Sequence, residues 1–350
     1  MIIQEFSNDQ RREYVNTQQR FDGWNETRDR LQATRGSIVW HSIKGTEYLV
    51  RSSYEKSGVR KQRSLGKRSA ETEHAKAEFE RRRDEAKRRF KEIDATLQRQ
   101  VAINRAVGLG RVPLIGARII RALNETGSLG AGIRVVGTNA IYAYEAVAGV
   151  MVDPGLTTTG DIDLLFDSRG GLRFVVSPEI SERSLLKVLQ SVDKTFERTK
   201  NTFRAQNSEG FMVDLIKPMR NPPWREKTNQ LAGIGSDDLV AAEIEGLVWL
   251  ENAPSFEALA IDERGFPLRI VAADPRAWAV HKHWLSQRAD REPIKRRRDA
   301  EQAVLVGGLV RDYFPHLRFD ADDLKMLPKE LVRDAAPLFA PPIDPPRALP

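Results

Sequence analysis

The chain of 350 residues contains no cysteine. That excludes disulfides, thiolate zinc sites and cysteine nucleophiles, and it fits a reducing compartment. No apolar run approaches the roughly 18 residues that a membrane-spanning helix needs, so no membrane association is expected. The opening stretch MIIQEFSNDQRREYV lacks a basic segment followed by an apolar one, so it does not read as a secretory signal. A cytoplasmic protein is the expectation. The Gly-Lys-Ser/Thr ending of a P-loop is also missing. Gly108, Gly110 and Gly116 follow a long polar helix rather than a strand, so they do not make a dinucleotide fingerprint either. They read as a helix-to-helix connection.

Apolar residues make up 40% of the chain, and 6 Trp with 14 Phe support a packed core. Charged residues contribute 30%, with a net charge of +7. A basic balance favours polyanions such as nucleic acid or nucleoside triphosphates, although solubility alone explains it equally well.

Five regions are expected. Residues 1–68 begin with a helical or partly ordered lead-in, followed by a meander of three strands at 37–43, 46–53 and 59–64. Lys44-Gly45 and Ser57-Gly58 lie between the strands. Arg51, Arg60, Lys61 and Arg63 make the meander basic, either a grip for a phosphate backbone or a solvated flap. Residues 69–112 hold a long charged helix over 69–105, capped by Ser69 with Glu73. Its narrow seam of Ala75, Phe79, Ala86, Phe90, Ile93 and Leu97 packs on the main domain or pairs with a second copy in a homodimer.

Residues 113–272 read as a sheet domain. It has helices at 113–126, 139–150 and 181–192, and strands at 133–137, 161–166, 202–207 and 211–218. EGLVWLENAP, SFEALAI and FPLRIVA are read as further strands. Residues 273–335 are helical, opened by Asp274 as N-cap and Pro275 at the first helical position. Residues 336–350 form a proline-rich, loosely ordered tail. The fold class is therefore α+β: a mixed sheet with flanking helices.

Three features carry chemistry. In VVGTNA a buried strand meets Gly137-Thr138-Asn139 and then a helix. The glycine permits close backbone approach, the helix start offers amide donors, and Thr138 adds a hydroxyl. In TTTGDIDLLF, Asp161 and Asp163 lie two apart on a strand, so both face one side despite their repulsion. In FMVDLIKP, Asp214 interrupts an apolar strand. Converging carboxylates call for a hard cation, and magnesium with oxygen ligands suits them.

This succession of strand-Gly-Thr-helix, Asp-x-Asp and a later lone Asp resembles the DNA polymerase beta-type nucleotidyltransferase superfamily. VVGTNAIYAYEAVAG, TGDIDLLFD and PRAWAVHKHWLSQR resemble a bacterial branch of nucleotidyltransferase-like proteins, over roughly residues 115–310. The resemblance implies transfer of a nucleoside monophosphate from an NTP, ATP among them, to an acceptor hydroxyl on RNA or protein. Pyrophosphate would leave, and two Mg2+ ions, or Mn2+, would assist. It assigns Gly137, Thr138 and Asn139 to the phosphates and Asp161, Asp163 and Asp214 to metal and catalysis. Thr138 departs from the usual Gly or Ser, and the gap to Asp161 is longer than the commonest spacing, which suggests an inserted loop around 150–159.

Lys282 is a candidate triphosphate contact, with a solvated helical lysine as the plain alternative. His281 and His283 do not share a helix face, which argues against zinc. Lys295, Arg296, Arg297 and Arg298 form a basic run that binds nucleotide or nucleic acid, or is solvated. Asp237 and Asp238 read as caps of the helix that follows. The competing function is a nucleic-acid-binding or antitoxin-like regulatory protein whose transferase site is degenerate.

Overall fold

A computed structural model describes residues 3–54, 60–167, 184–219, 238–320 and 322–341. The N-terminal lead-in is a short strand β1 (Ile3–Glu5) and a helix α1 (Asn8–Ala33). Ser7 and Gln10 close a capping box at the helix start. The meander follows as β2 (Ser37–Ile43), β3 (Thr46–Tyr54) and β4 (Arg60–Lys67), paired antiparallel in that order. Residues 55–59, with Ser57-Gly58, lie outside the described residues.

The long helix α2 spans Ala70–Ala106. Its cap differs in one partner from the expectation. Thr72, not Glu73, returns a side-chain oxygen to the Ser69 amide, at 2.8 Å, and Glu73 is held by Arg68 instead. Helices α1 and α2 run antiparallel. Thr17 bonds Asn104 at 2.8 Å, and the Trp24 indole donates to Asp94 at 2.9 Å. Trp24 also meets Phe21, Phe90 and, on the main domain, Phe266. Of the α2 seam, Phe90 thus packs on α1, and Phe79 lies under Arg51 of the meander.

The main domain opens with α3 (Leu114–Glu125), β5 (Ile133–Val136), a 3-10 turn Gly137–Ala140 and α4 (Ile141–Ala148). Residues 150–159 form β6 (Val150–Val152) and a single helical turn α5 (Pro154–Thr157). β6 pairs antiparallel with β1, so this loop anchors the N-terminus. Then come β7 (Asp161–Phe166), α6 (Leu185–Val192), β8 (Glu197–Arg198), β9 (Arg204–Gln206) and β10 (Met212–Pro218). They are followed by β11 (Ala242–Ile244), α7 (Leu247–Asn252), β12 (Ser255–Ile261) and β13 (Pro267–Ala273).

The sheet order is β12-β13-β5-β7-β10-β9-β8, with β11 beside β10. β5 runs antiparallel to β7 and parallel to β13, while β7 and β10 are parallel, so the sheet is mixed. This is the expected α+β class. EGLVWLENAP, read as a strand, is largely the helix α7. Gly246 turns the chain at φ +82°, where a Cβ would lie 2.8 Å from the Trp284 ring, and Leu247 and Leu250 then bury three apart, a helical spacing. The helix expected at 139–150 is shorter, because Gly149 ends it in the left-handed conformation.

The C-terminal helices are α8 (Pro275–Gln287), α9 (Pro293–Tyr313) and α10 (Lys329–Ala335). Asp274 caps α8, accepting from the Arg276 amide at 2.8 Å. Trp278 of α8 is fully buried against Tyr144 of α4. Of the proline-rich stretch, Ala336–Phe339 is a 3-10 turn packed near Gly307 of α9, and the segment from 342 lies outside the described residues. Among the described residues no helix is long and apolar enough to cross a membrane.

Trp24 joins both arm helices to the main domain. Trp24→Ala should lower stability by about 3 kcal/mol in urea unfolding, as loss of a large packed aromatic does. A loss within about 0.5 kcal/mol, the scale of an ordinary surface change, would mean that the arm does not depend on this contact.

Candidate active site

The site is set by strand register. Asp161 and Asp163 are two apart on β7, so they share a face. On the parallel strand β10, Asp214 stands directly beside Asp163, and Met212 beside Asp161. On the other side, Val136 of β5 pairs with Asp163, so the chain leaves β5 into Gly137 next to that carboxylate. The three acids and the Gly137 turn are therefore neighbours across three adjacent strands.

Gly137 has a φ of +62°, and a Cβ on it would overlap the Asp163 carboxylate. The need for glycine thus comes first from the acid beside it. Trp278 holds the turn from below, its indole donating to the Gly137 carbonyl at 3.2 Å. Thr138 is buried, and its hydroxyl accepts from Gln302 of α9 at 3.2 Å. Asn139 donates to the Asp161 carbonyl at 2.8 Å, fixing the start of β7. These two side chains have structural partners within the chain.

The three carboxylates differ in their partners. Asp161 accepts a hydrogen bond from the Thr159 hydroxyl. Asp214 is gripped by Arg204 of β9 through two bonds of 2.6 Å, and Arg204 is its register partner across the strand pair. Among the described residues, no cation bonds Asp163 directly. Burial first, then the charges of Asp161 and Asp214, push its carboxyl up to about 6, against the pull of Lys282 and Arg291.

Lys282 is a buried residue of α8, not a solvated one. Its ammonium lies 2.7 Å from Asp299 and 5.3 Å from the Trp278 ring centre. Arg291 reaches the other oxygen of Asp299 at 2.9 Å. Two cations on one carboxylate leave a local surplus of one positive charge close to Asp163. In the basic run, Lys295 pairs with Glu292, Arg297 with Glu301, and Arg298 donates to the Thr158 carbonyl. Asp238 caps the preceding helix α6 rather than a following one, accepting from the Leu185 and Leu186 amides at 2.9 Å each. Asp237 lies outside the described residues. His281 is buried beside Trp249 and Trp284, and burial pushes its imidazole down to about 3, so it stays neutral.

A nucleotidyltransferase family model matches residues 115–327. The chain belongs to this nucleotidyltransferase family. No curated protein and no solved structure matches it. The matched span runs from the start of α3 through α9, so it includes the helices that carry Trp278, Lys282, Asp299 and Gln302.

Whether a divalent cation suits these residues turns on the donor set. Hard carboxylate oxygens on a shared face, one of them short of counter-charge, suit such an ion. Arg204 already neutralises Asp214, however. Among the described residues no group of three or more His, Asp or Glu is drawn together closely enough to hold a metal. The fit is thus direct for Asp161 and Asp163, and for Asp214 it requires Arg204 to let go. Residue-by-residue reading of the sequence missed Arg204, Arg291, Asp299 and Gln302. Only Arg204 left a signal, as a cation in the strand-like TFRAQN just before the third acid.

Gly137→Ala should destabilise the chain by more than the about 1–2 kcal/mol of a left-handed L residue, since its methyl meets Asp163. In an Asp163→Ala background the penalty should fall to that backbone value. A fully additive pair in chemical denaturation would show that the two do not touch.

The raised carboxyl predicts a pH dependence. Folded Asp163, near 6, holds its proton more tightly than the unfolded chain does, near 3.9. Stability therefore rises as pH falls from 6 towards 4. Above 6 the ionised group carries a penalty of up to about 3 kcal/mol. With metals chelated, Asp163→Asn should raise the unfolding midpoint at pH 7.5 and give little gain at pH 4. An equal gain at both pH values would rule out this origin.

Proposed function

We propose that the chain transfers a nucleoside monophosphate from an NTP to an acceptor hydroxyl, releasing pyrophosphate, with Mg2+ as cofactor. The observation that carries this reading is the row of Asp161, Asp163 and Asp214 on one sheet face beside the Gly137 turn, with no cation bonded to Asp163 among the described residues. Asp161 and Asp163 would hold the metal, joined by Asp214 once Arg204 is released. Mn2+ would serve in place of Mg2+, and the carboxylate set has room in principle for the two-ion arrangement of phosphoryl transfer. When bound, the metal supplies neutralisation of phosphate charge and acidifies the attacking hydroxyl.

The chain's own residues account for the remaining roles. Gly137 keeps the space beside Asp163 free of a side chain. The positive surplus of Lys282 and Arg291 over Asp299 draws the triphosphate to the α8–α9 side. Asn139 and Thr138 act through structure, by fixing β7 and α9 to the turn. A cleft of about 380 Å3, lined by Gly160, Asn207 and Phe211 together with Asp193 and Glu209, opens where β7 and β10 begin. In the reaction the acceptor oxygen forms a bond to the α-phosphorus and the bridging bond to the β-phosphate oxygen breaks, its electrons leaving with pyrophosphate. Positioning and charge neutralisation are the protein's contribution. The family match supports nucleotidyl transfer in general; metal, nucleotide and acceptor are this reading's additions. A cytoplasmic setting accords with the absence of cysteine.

One observation favours a second reading, a nucleic-acid-binding regulatory protein with a degenerate site: Arg204 occupies Asp214 as a metal would. The two readings part in one experiment. Protein and cell extract are incubated with each α-labelled NTP and Mg2+, and label is sought in RNA, protein and small molecules. Wild type should label an acceptor, and Asp163→Asn should not while still folding. Arg204→Gln should bind Mn2+ more tightly in a direct titration, because Asp214 is freed. No labelling with any NTP, together with Mn2+ binding unaltered by Arg204→Gln, would leave the degenerate-site reading standing.

A further inference from the structure

The charge of this protein is divided sharply along the chain. Residues 1–112 hold 25 Lys and Arg against 16 Asp and Glu, a surplus of +9. Residues 113–350 hold 31 against 33, a balance of −2. The basic character that suggested a polyanionic partner therefore belongs to the arm and not to the domain that carries the carboxylates.

Within the arm, the unpaired surplus runs from the level of Phe90 outward. Cations of α1 are largely paired, as Arg11 with Glu5, Arg12 with Asp9 and Arg30 with Glu26. By contrast Arg35, Lys44, Lys67, Lys87, Arg88 and Lys91 are exposed and, among the described residues, have no carboxylate partner. The last three lie within little more than one turn of α2. From Phe90, which shares Trp24 with the main domain's Phe266, the helix continues outward to Ala70, about 30 Å at the usual helical rise.

The meander at that end has two different faces. Ile38, Trp40 and Arg51 alternate towards α2, with Arg51 over Phe79 and Arg68 over Trp40. Its outer face carries Val39, His41 and Ile43, all exposed. His41, Tyr48 and Lys67 are register partners across the three strands, so two ring side chains and an ammonium stand in one row.

We propose that this distal arm is an RNA-docking surface that brings an RNA acceptor to the carboxylate site; the delivery step rests on the transferase reading, the docking itself does not. Unpaired cations spread along an extended arm match a linear polyanion, whose binding releases counterions. The exposed His41 ring and the partly exposed Tyr48 ring beside Lys67 offer stacking to unpaired bases, which RNA loops and ends present and duplex DNA does not. An RNA also brings terminal and 2′ hydroxyls, the group that the transfer needs.

The test separates docking from chemistry. Affinity for a fluorescent structured RNA with an unpaired 3′ end is measured by anisotropy on the full chain, across a salt series, beside duplex DNA of equal length. Wild type should prefer the RNA by about tenfold or more, with a steep salt dependence. Lys87→Glu/Arg88→Glu/Lys91→Glu and, separately, Lys67→Glu with Tyr48→Ala should each weaken RNA binding by about tenfold and flatten the salt slope. Affinity for a fluorescent ATP analogue and thermal unfolding should not change. Milder Lys→Gln and Arg→Gln versions guard against misfolding and should fall between. RNA binding unchanged in the arm variants, or equal affinity for duplex DNA, would overturn the proposal. Arm-dependent RNA binding by a protein that labels no acceptor would uphold docking and sink the transferase reading alone.

Discussion

The placing of one carboxylate, Asp163, to which no described residue brings a direct cation, governs the arrangement around it. Asp161 and Asp214 flank it on the same sheet face, and each could have made the repulsion intolerable. Arg204 removes one of these charges by a two-pronged grip on Asp214, while Asp163 stays raised to about 6. A structure selected for stability alone has little reason to keep such a group at the junction of three strands. An ion pair could be replaced there by apolar residues of similar size without loss. The retained charge is what the proposed cation would answer.

The same carboxylate sets requirements in both directions along the chain. It occupies the space in front of residue 137, so that residue has to be glycine, and the positive φ follows. The turn so formed presents its carbonyl to Trp278. Trp278 lies one helical turn before Lys282, so the helix that buries the indole also brings the ammonium towards the acids. Lys282 cannot be buried alone, and Asp299 of α9 neutralises it at 2.7 Å. Gln302, three residues on, reaches Thr138 and the Leu156 carbonyl. The C-terminal helices are thus part of the site's electrostatics, and the family match extends through them.

How much of this was legible in the sequence follows from the range of each interaction. Asp161, Ile162 and Asp163 announced themselves because strand alternation is a local rule. The Gly137 turn was legible for the same reason, although the overlap of a Cβ there with Asp163 was not. Arg204 opposite Asp214 was not, because the pairing depends on the register of a hairpin. Asp299 was hidden behind a basic run that looked like a solvated helix start. Asp238 was assigned to the wrong helix, since a cap can serve an element more than fifty residues earlier in the chain. EGLVWLENAP is a short apolar run, and periodicity cannot separate a buried strand from a buried helical turn at that length. The meander and the long helix were legible because both are local patterns in sequence, although the third strand runs to Lys67, past its expected end at 64.

Under the proposed reading, the division of charge gives the two halves different tasks. A domain with a balance of −2 and three carboxylates on one face repels a polyanion at long range, beyond what Lys282 and Arg291 correct locally. A triphosphate arriving with its magnesium has much of its charge neutralised and can be held by that local surplus. A long polyanionic acceptor has no such help, because its charge repeats along its whole length. For such an acceptor, attraction has to come from a surface set apart from the acids by more than the about 10 Å over which salt at 0.1 M screens exposed charges. Helix α2 supplies that separation: its outer 20 or so residues extend about 30 Å past the contact of Trp24 with Phe266. A compact chain of the same composition would average the two fields, and the acids would then cancel the attraction they need the arm to provide.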